Sequence, residues 1–371
     1  MKLRFKILLI FVLMVFSLSG CKKQPLQTEQ PGSFFSEPTQ FRHKYIQENF
    51  PTTGSLIWKY QASDGIRTSA AVSNTSIFIA DKKGIIYSLN RFSGQKNWSQ
   101  PTGAEIYGSS PEIFNNTVYI GTKTGKLFSL DQFNGQIKWV FKANNDILSS
   151  PNIQQNYLFF GSRDGFVYCL DAQSGNLISS FKTGGAIDSS PSIFNNMLYI
   201  GSYDGKIYAL SSENKAPVWT FNTGSPVVSK PVISKELVYV PSTNGYLYAL
   251  NVKDGGLYWK IKLAGILKAS PAVYKNNIYI GDSKGYFYSI SVFSGKIQWK
   301  IKTNGSILAS AAVSDNIVYV PSGDGYLYAI NCSKGMPLWK FGTTAPVFSA
   351  PVINNGVVYF GADNGEIYAI K

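Results

Sequence analysis

Histidine and cysteine are nearly absent from the 371 residues, which contain one histidine and three cysteines. Zinc and haem sites in proteins are built mainly from these residue types at short, fixed spacings. The cysteines, Cys21, Cys169 and Cys332, lie far apart, and His43 has no cysteine or paired acid beside it. The composition argues against a His/Cys metal centre, and we expect no metal site.

Acidic residues are also scarce, since 21 Asp and Glu face 35 Lys and Arg, a formal net charge of +14. A basic balance of this kind suits nucleic acid, an anionic lipid surface or an acidic protein as partner. Disorder is excluded, because 44% of the residues are hydrophobic and 15% are aromatic. A chain of this composition has enough apolar side chains for a large core.

Long apolar runs are missing apart from Ile7 to Phe16, which is too short to span a bilayer. Basic residues precede this run and Leu18-Ser19-Gly20-Cys21 follows it, which predicts a secretory signal over residues 1–20. Its end resembles the lipobox of bacterial lipoproteins, and this resemblance implies lipidation of Cys21. A plain secretory signal with an incidental cysteine is the alternative. Lys22 resembles the outer-membrane sorting pattern, and export argues against nucleic acid as a partner.

Residues 21–54 are polar and contain four prolines, without sustained hydrophobic periodicity. We interpret them as a tether, and roughly 30 flexible residues have a root-mean-square reach of about 30 Å. The segment is more aromatic than a spacer requires, with Phe34, Phe35, Phe41, Tyr45 and Phe50. Part of it therefore either docks on the following domain or contacts a partner.

An internal repeat occupies the rest of the chain. A glycine that follows Asp, Asn, Lys or Thr recurs at Gly84, Gly125, Gly165, Gly205, Gly245, Gly285, Gly325 and Gly365. The spacing is 41 once and 40 six times, which indicates eight copies of one structural unit. Each copy predicts four short strands joined by tight turns, and its third strand is apolar on both faces. If the copies stack around an axis, each sheet is covered on both faces by its neighbours, which explains the two apolar faces.

The chain ends predict how the ring closes. Tryptophan marks the fourth strand at Trp58, Trp98, Trp139, Trp219, Trp259, Trp299 and Trp339, and Ser179 takes the eighth position. Trp58 precedes the first complete copy, whereas the last copy stops at its third strand, at Lys371. We therefore predict an all-β fold over residues 55–371, a single eight-bladed β-propeller of four-stranded antiparallel blades. The N-terminal strand completes the last blade.

The repeat resembles the PQQ-like propeller family in its Asp-Gly-x-x-Tyr-Ala-Leu, Gly-x-x-x-Trp and Ser-Ser-Pro motifs. This resemblance implies that the tryptophans pack between adjacent blades, with a looser junction at Ser179. Quinoprotein dehydrogenases of the same fold carry adjacent cysteines over the cofactor and calcium-binding carboxylates. No adjacent cysteines occur here, and we expect no cofactor. Cys169 is predicted to be buried, and Cys332 to be partly exposed.

Candidate binding residues are those that depart from the repeat beside the Ser-Ser-Pro motif. Arg67, Asp188 and Lys268 stand three residues before the proline position, and Lys230 replaces a serine. We predict that these four side chains surround the mouth of the central channel and bind a ligand there. Sequence drift without a function is the alternative.

The signal, the tether and the blade number together resemble the BamB-type outer-membrane assembly lipoproteins. That resemblance implies a non-enzymatic periplasmic scaffold, anchored in the outer membrane, which binds a barrel-assembly subunit and is a monomeric propeller within a complex. No partner-binding motif can be transferred residue by residue. The alternatives are a lipoprotein that binds a small ligand or glycan at the channel mouth, and a quinoprotein dehydrogenase-like enzyme.

Overall fold

The computed structural model describes residues 44–45, 54–211 and 216–371. The predicted signal peptide, Cys21, His43 and the predicted tether, apart from residues 44–45 and 54, lie outside the described residues. Within the described part, no helix is long and apolar enough to cross a membrane.

The described residues form 33 β-strands in eight sheets, which we call blades 1 to 8. Two strands precede blade 1, namely β1 (Lys44–Tyr45) and β2 (Leu56–Gln61). Blade 1 contains β3 (Ala71–Val72), β4 (Ser76–Ala80), β5 (Ile85–Asn90) and β6 (Lys96–Pro101). Blade 2 contains β7 (Glu112–Phe114), β8 (Thr117–Gly121), β9 (Lys126–Asp131) and β10 (Ile137–Lys142). Blade 3 contains β11 (Asn152–Gln154), β12 (Tyr157–Gly161), β13 (Phe166–Asp171) and β14 (Leu177–Lys182).

The remaining blades repeat this arrangement. Blade 4 contains β15 (Ser192–Phe194), β16 (Met197–Gly201), β17 (Lys206–Ser211) and β18 (Pro217–Asn222). Blade 5 contains β19 (Val232–Ser234), β20 (Leu237–Pro241), β21 (Tyr246–Asn251) and β22 (Leu257–Lys262). Blade 6 contains β23 (Ala272–Tyr274), β24 (Asn277–Gly281), β25 (Tyr286–Ser291) and β26 (Ile297–Lys302). Blade 7 contains β27 (Ala312–Ser314), β28 (Ile317–Pro321), β29 (Tyr326–Asn331) and β30 (Pro337–Gly342), and blade 8 contains β31 (Val352–Asn354), β32 (Val357–Gly361) and β33 (Glu366–Ile370).

Each blade is an antiparallel meander, and in blades 1 to 7 its four strands follow chain order from the channel outward. Tight turns with positive φ make this possible. Asn115 and Asn116, between β7 and β8, have φ values of 46° and 59°, and asparagine tolerates this region better than most residues. Gly245 precedes β21 with a φ of 80°, and a Cβ there would lie 2.7 Å from the carbonyl oxygen of Gly265. At this position the repeated glycine is therefore required by both conformation and space.

The apolar core lies between the blades, which confirms the predicted stacking. One cluster combines Tyr199, Ile207 and Ala209 of blade 4 with Val240 and Leu250 of blade 5. The four central residues of the third strand are buried on both faces in blades 3 to 7. Because each sheet lies between two neighbours, both of its faces are apolar.

The ends of the chain close the ring as predicted. Strand β2 pairs with β33, which places Trp58 opposite Ala369 and completes blade 8. Ser55 and Lys371 exchange two backbone hydrogen bonds of 2.9 and 3.0 Å. The all-β, eight-bladed propeller closed by its N-terminal strand is thus confirmed.

Strand β1 adds a fifth strand to the outer edge of blade 6. It pairs in parallel with β26, so that Lys44 lies opposite Ile301 and Tyr45 opposite Lys302. At this point the segment interpreted as a tether is docked on the propeller, which was one of the two possibilities that the sequence left open.

Candidate functional site at the channel mouth

The predicted tryptophans lie at the blade junctions. The Trp219 Nε1–H of blade 4 donates to the carbonyl oxygen of Val252 in blade 5 at 2.9 Å. Its indole covers Gly255 so closely that a Cβ on this glycine would lie 2.5 Å from the ring. The same bond recurs from Trp58, Trp98, Trp139, Trp259 and Trp299 to the next blade. Trp339 instead packs against Gly54, where the chain enters blade 8.

The junction between blades 3 and 4 lacks this contact. Ser179 is exposed in the position that tryptophan holds elsewhere. In the sequence, the spacing of 40 residues puts Lys215, which lies outside the described residues, at the repeat position where other blades have the glycine that receives the indole. Both halves of the indole–glycine contact are therefore replaced at the same junction, which agrees with their dependence on one another.

The two described cysteines are free and buried in separate blades. Burial raises the pKa of the Cys169 thiol to about 11, so that it stays protonated at neutral pH. The expectation that Cys332 is partly exposed is wrong, since its exposed fraction is 1%. Its backbone carbonyl accepts hydrogen bonds from Trp299 Nε1 and the Tyr279 hydroxyl, which draws this residue into the blade junction.

The loops that enter the innermost strands share one face with the hairpins between second and third strands, as predicted. The backbone N–H of Ile147 donates to the carbonyl of Thr122 at 2.9 Å, which joins a loop of one blade to a hairpin of the preceding one. At the centre of this face all eight blades line one open cavity of about 820 Å³. We call it the channel mouth, and Arg67, Asp188, Lys230 and Lys268 all line it.

Two of these four side chains are held by charged partners. Arg67 donates two hydrogen bonds of 2.8 Å to the carboxylate of Asp363 and a third of 2.6 Å to the Tyr107 hydroxyl. The bond to Asp363 raises the pKa of Arg67 and lowers that of Asp363. Asp188 accepts two bonds from Arg163, at 2.8 and 2.9 Å, and one from the Tyr203 hydroxyl. These contacts are two Arg–Asp ion pairs in the wall of the mouth, and in each pair the opposite charges largely neutralise each other.

Lys230 interrupts a ring of serines around the channel. Backbone N–H groups donate to the serine Oγ of the next blade, for example from Ser110 to Ser150 and from Ser150 to Ser190, both at 2.9 Å. The ring resumes with the Lys230 N–H, which donates to Ser270 Oγ at 3.1 Å. A lysine side chain has no acceptor atom, so it cannot receive the bond that a serine accepts.

Glu112 is the only charged residue at the first position of the eight innermost strands. It faces the cavity from blade 2, whereas Lys230 belongs to blade 5. Burial raises the pKa of Glu112, and Lys230 partly opposes this shift. Burial lowers the pKa of Lys230 in turn, and Glu112 opposes that shift. The two charges attract each other, but they form no ion pair among the described residues.

Lys268 differs from the other three candidates because its side chain is exposed at the rim of the mouth. Among the described residues its ammonium group forms no hydrogen bond or ion pair.

Sequence reasoning missed Arg163 and Asp363, which lie two residues before the hairpin glycine. That position also departs from the repeat, with Lys82, Tyr203 and Gly323 in other blades, and this signal could have identified them.

The residues of the mouth do not fit a calcium-bound quinone. No cysteine lines the cavity, and its two carboxylates belong to Asp188, already bound by Arg163, and Glu112. In the described part of the chain, no three His, Cys, Asp or Glu side chains lie close enough together to hold a metal ion.

Eight blades, the closing strand and the inter-blade indoles define the chain as a PQQ-like β-propeller. The family model for the outer membrane protein assembly factor BamB matches residues 44–179, 163–306 and 288–371. These matches extend over the whole propeller, and the chain belongs to this family. No curated protein matches the sequence.

Solved structures share the fold at low sequence identity. BamB from Moraxella catarrhalis matches with a TM-score of 0.74 and 19% identity, covering 86% of this chain and 98% of that one. The computationally designed Ika8 protein matches with a TM-score of 0.76 and 18% identity, covering 86% and 99%. Quinohemoprotein alcohol dehydrogenase ADHIIG from Pseudomonas putida HK5 has a TM-score of 0.77 and 13% identity, covering 89% and 78%. One fold thus carries different functions, and the site must decide between them.

Proposed function

We propose that this protein is a non-catalytic, lipid-anchored periplasmic scaffold that takes part in the assembly of outer-membrane β-barrel proteins. The observation that carries this proposal is the match of the BamB family model along the whole propeller. Residues 1–21 contain basic residues, then the apolar run Ile7 to Phe16, and then Cys21. This order supports lipid anchoring at the outer membrane from the periplasmic side.

The chemistry of the channel mouth supports a scaffold rather than an enzyme. Arg67 and Arg163 are each bound by a carboxylate. Arg67 also donates to the Tyr107 hydroxyl, and the Tyr203 hydroxyl donates to Asp188, the partner of Arg163. Among the described residues, no histidine or cysteine lines the mouth, and of its two carboxylates Asp188 is bound by Arg163. Half-buried Arg–carboxylate pairs of this kind hold loops in place.

The outer strand of blade 3 is our candidate surface for the partner, which we propose is a periplasmic domain of a barrel-assembly subunit. Leu177 and Ile178 are about half exposed, at 52% and 49%, and Val218 on the neighbouring blade is exposed to 51%. Exposed apolar side chains on an outer strand favour protein docking. The missing indole at Ser179 leaves this junction without the aromatic contact that covers the others.

Affinity copurification from native membranes tests the proposal. We expect the wild-type protein to recover a barrel-assembly subunit under gentle detergent extraction, and the double change Leu177→Glu with Ile178→Glu to reduce the yield at least fivefold. The matched control is Leu257→Glu with Tyr258→Glu, at the same two strand positions of blade 5. Recovery of no such subunit by the wild type would refute the assembly role. Equal losses from both double variants would refute the docking surface alone.

A further inference from the structure

We infer that the channel mouth binds a small organic anion, whose carboxylate groups pair with Lys230 and Lys268. This site is additional to the scaffold role and does not depend on it. The inference rests on the residues that depart from an otherwise repetitive channel, and on which of their charges are already compensated.

Lys230 is a cation of the channel mouth without a hydrogen-bonded partner. It occupies a position of the ring where serine occurs in six of the eight blades, and its ammonium group faces the cavity. Among the described residues this group has no hydrogen-bond acceptor and no ion-pair partner. Taking a cation out of water without a partner is costly, so such a group is expected to meet an anion.

The other charged side chains of the channel mouth differ in whether a counter-charge binds them. The positive charges of Arg67 and Arg163 are neutralised by Asp363 and Asp188, within bonds of 2.8–2.9 Å. The cations of the mouth without a hydrogen-bonded counter-charge among the described residues are therefore Lys230 and Lys268, on blades 5 and 6. These blades are direct neighbours, since the Lys230 N–H donates to Ser270 Oγ at 3.1 Å. Both lysines thus line the same cavity from adjacent blades.

The carboxylate of Glu112 competes with a ligand carboxylate for the ammonium group of Lys230. Its carboxylate attracts Lys230 from blade 2 without reaching it as an ion pair. A ligand carboxylate that pairs with Lys230 supplies the ion pair that Glu112 does not form, and Glu112 repels it because both groups are negatively charged. Neutralising Glu112 should therefore strengthen anion binding, whereas a merely structural role of Lys230 would give no such gain.

The cavity also limits the ligand's size and character. A volume of about 820 Å³ lies within the range of roughly 300–1,000 Å³ that is usual for small-molecule pockets. Its wall includes the rings of Tyr107, Tyr203 and Phe348 beside the charged groups. This combination favours a compact organic acid with one or more carboxylates over a neutral sugar, which would leave both ammonium groups without a counter-charge.

Isothermal titration of the purified full chain in detergent, at pH 7 and low salt, tests the inference with citrate as probe and glucose as comparison. We expect citrate to bind and glucose not to bind. Lys230→Ser restores the repeat's own residue, and Lys268→Leu introduces the residue of blades 3 and 7. Each variant should weaken citrate binding about tenfold, which corresponds to one lost charged contact. Glu112→Gln should tighten it about threefold, in the range of one weak charge interaction.

Lys296→Ala is the matched control, because this exposed lysine lies in a turn of the opposite face. It should leave citrate affinity unchanged. Absence of citrate binding by the wild type, or an equal loss in Lys296→Ala, would overturn the inference. Weaker binding in Glu112→Gln would do the same. All of these outcomes are independent of the copurification experiment, so the failure of one proposal is distinguishable from the failure of the other.

Discussion

Removing a single inter-blade indole should weaken the whole ring. In Trp219→Ala the protein loses a side chain that is 8% exposed, together with its Nε1–H bond of 2.9 Å to Val252. The space between Gly255 and Tyr199, whose ring centroid lies 5.8 Å from that of the indole, becomes a cavity. Buried Trp→Ala changes cost about 3–5 kcal/mol, and we expect a loss of about 3 kcal/mol in the free energy of unfolding.

Urea unfolding followed by far-UV circular dichroism measures this loss. Trp219→Phe keeps a ring on Gly255 but removes the bond to Val252, so it should lose about half as much. Ser179→Ala is the matched control at the junction without an indole, and its effect should stay below about 0.5 kcal/mol because the side chain is exposed. A loss below about 1 kcal/mol in Trp219→Ala would refute the reasoning that the indoles hold neighbouring blades together.

Three further predictions concern other parts of the chain. Ser179→Trp combined with Lys215→Gly should raise the urea midpoint, because it supplies both halves of the missing contact, whereas Ser179→Trp alone should not; equal effects would contradict the pairing. The hydroxyl of Tyr368, Lys59 and Asn364 hold the pKa of Glu366 at about 2, below its ordinary 4.5. The ionised carboxylate of Glu366 therefore stabilises the folded protein above about pH 4.5, and this stabilisation is lost as the pH falls toward 2. In a profile of unfolding free energy against pH, Glu366→Gln should flatten this region. Cys21→Ala should release the protein into the soluble periplasmic fraction on cell fractionation, and continued membrane retention would contradict lipid anchoring.

The repeat made most of the fold predictable. Turn glycines such as Gly245 need positive φ, and strands such as β21 need two apolar faces, and both requirements are visible in a few adjacent residues. The position of Trp58 before the first blade, with Lys371 at the end of a third strand, predicted the closing strand. Sequence therefore sufficed for the number of blades, their strand order and the face that carries the candidate residues.

The same reasoning did not determine which charges at the channel mouth remain uncompensated. Arg67 and Asp363 are 296 residues apart and meet only because the ring closes. Glu112 and Lys230 influence each other across the channel from non-adjacent blades. Such contacts depend on the radius of the ring and on the side-chain conformations.

By itself, then, the amino-acid sequence determined the architecture, since its repeated turns and two-faced strands are local requirements that every blade satisfies in the same way. Tertiary structure alone decided that Asp188 is bound by Arg163, that β1 pairs with β26, and that Cys332 is buried. These features arise where distant segments meet in space, and no spacing along the chain encodes the distance between them.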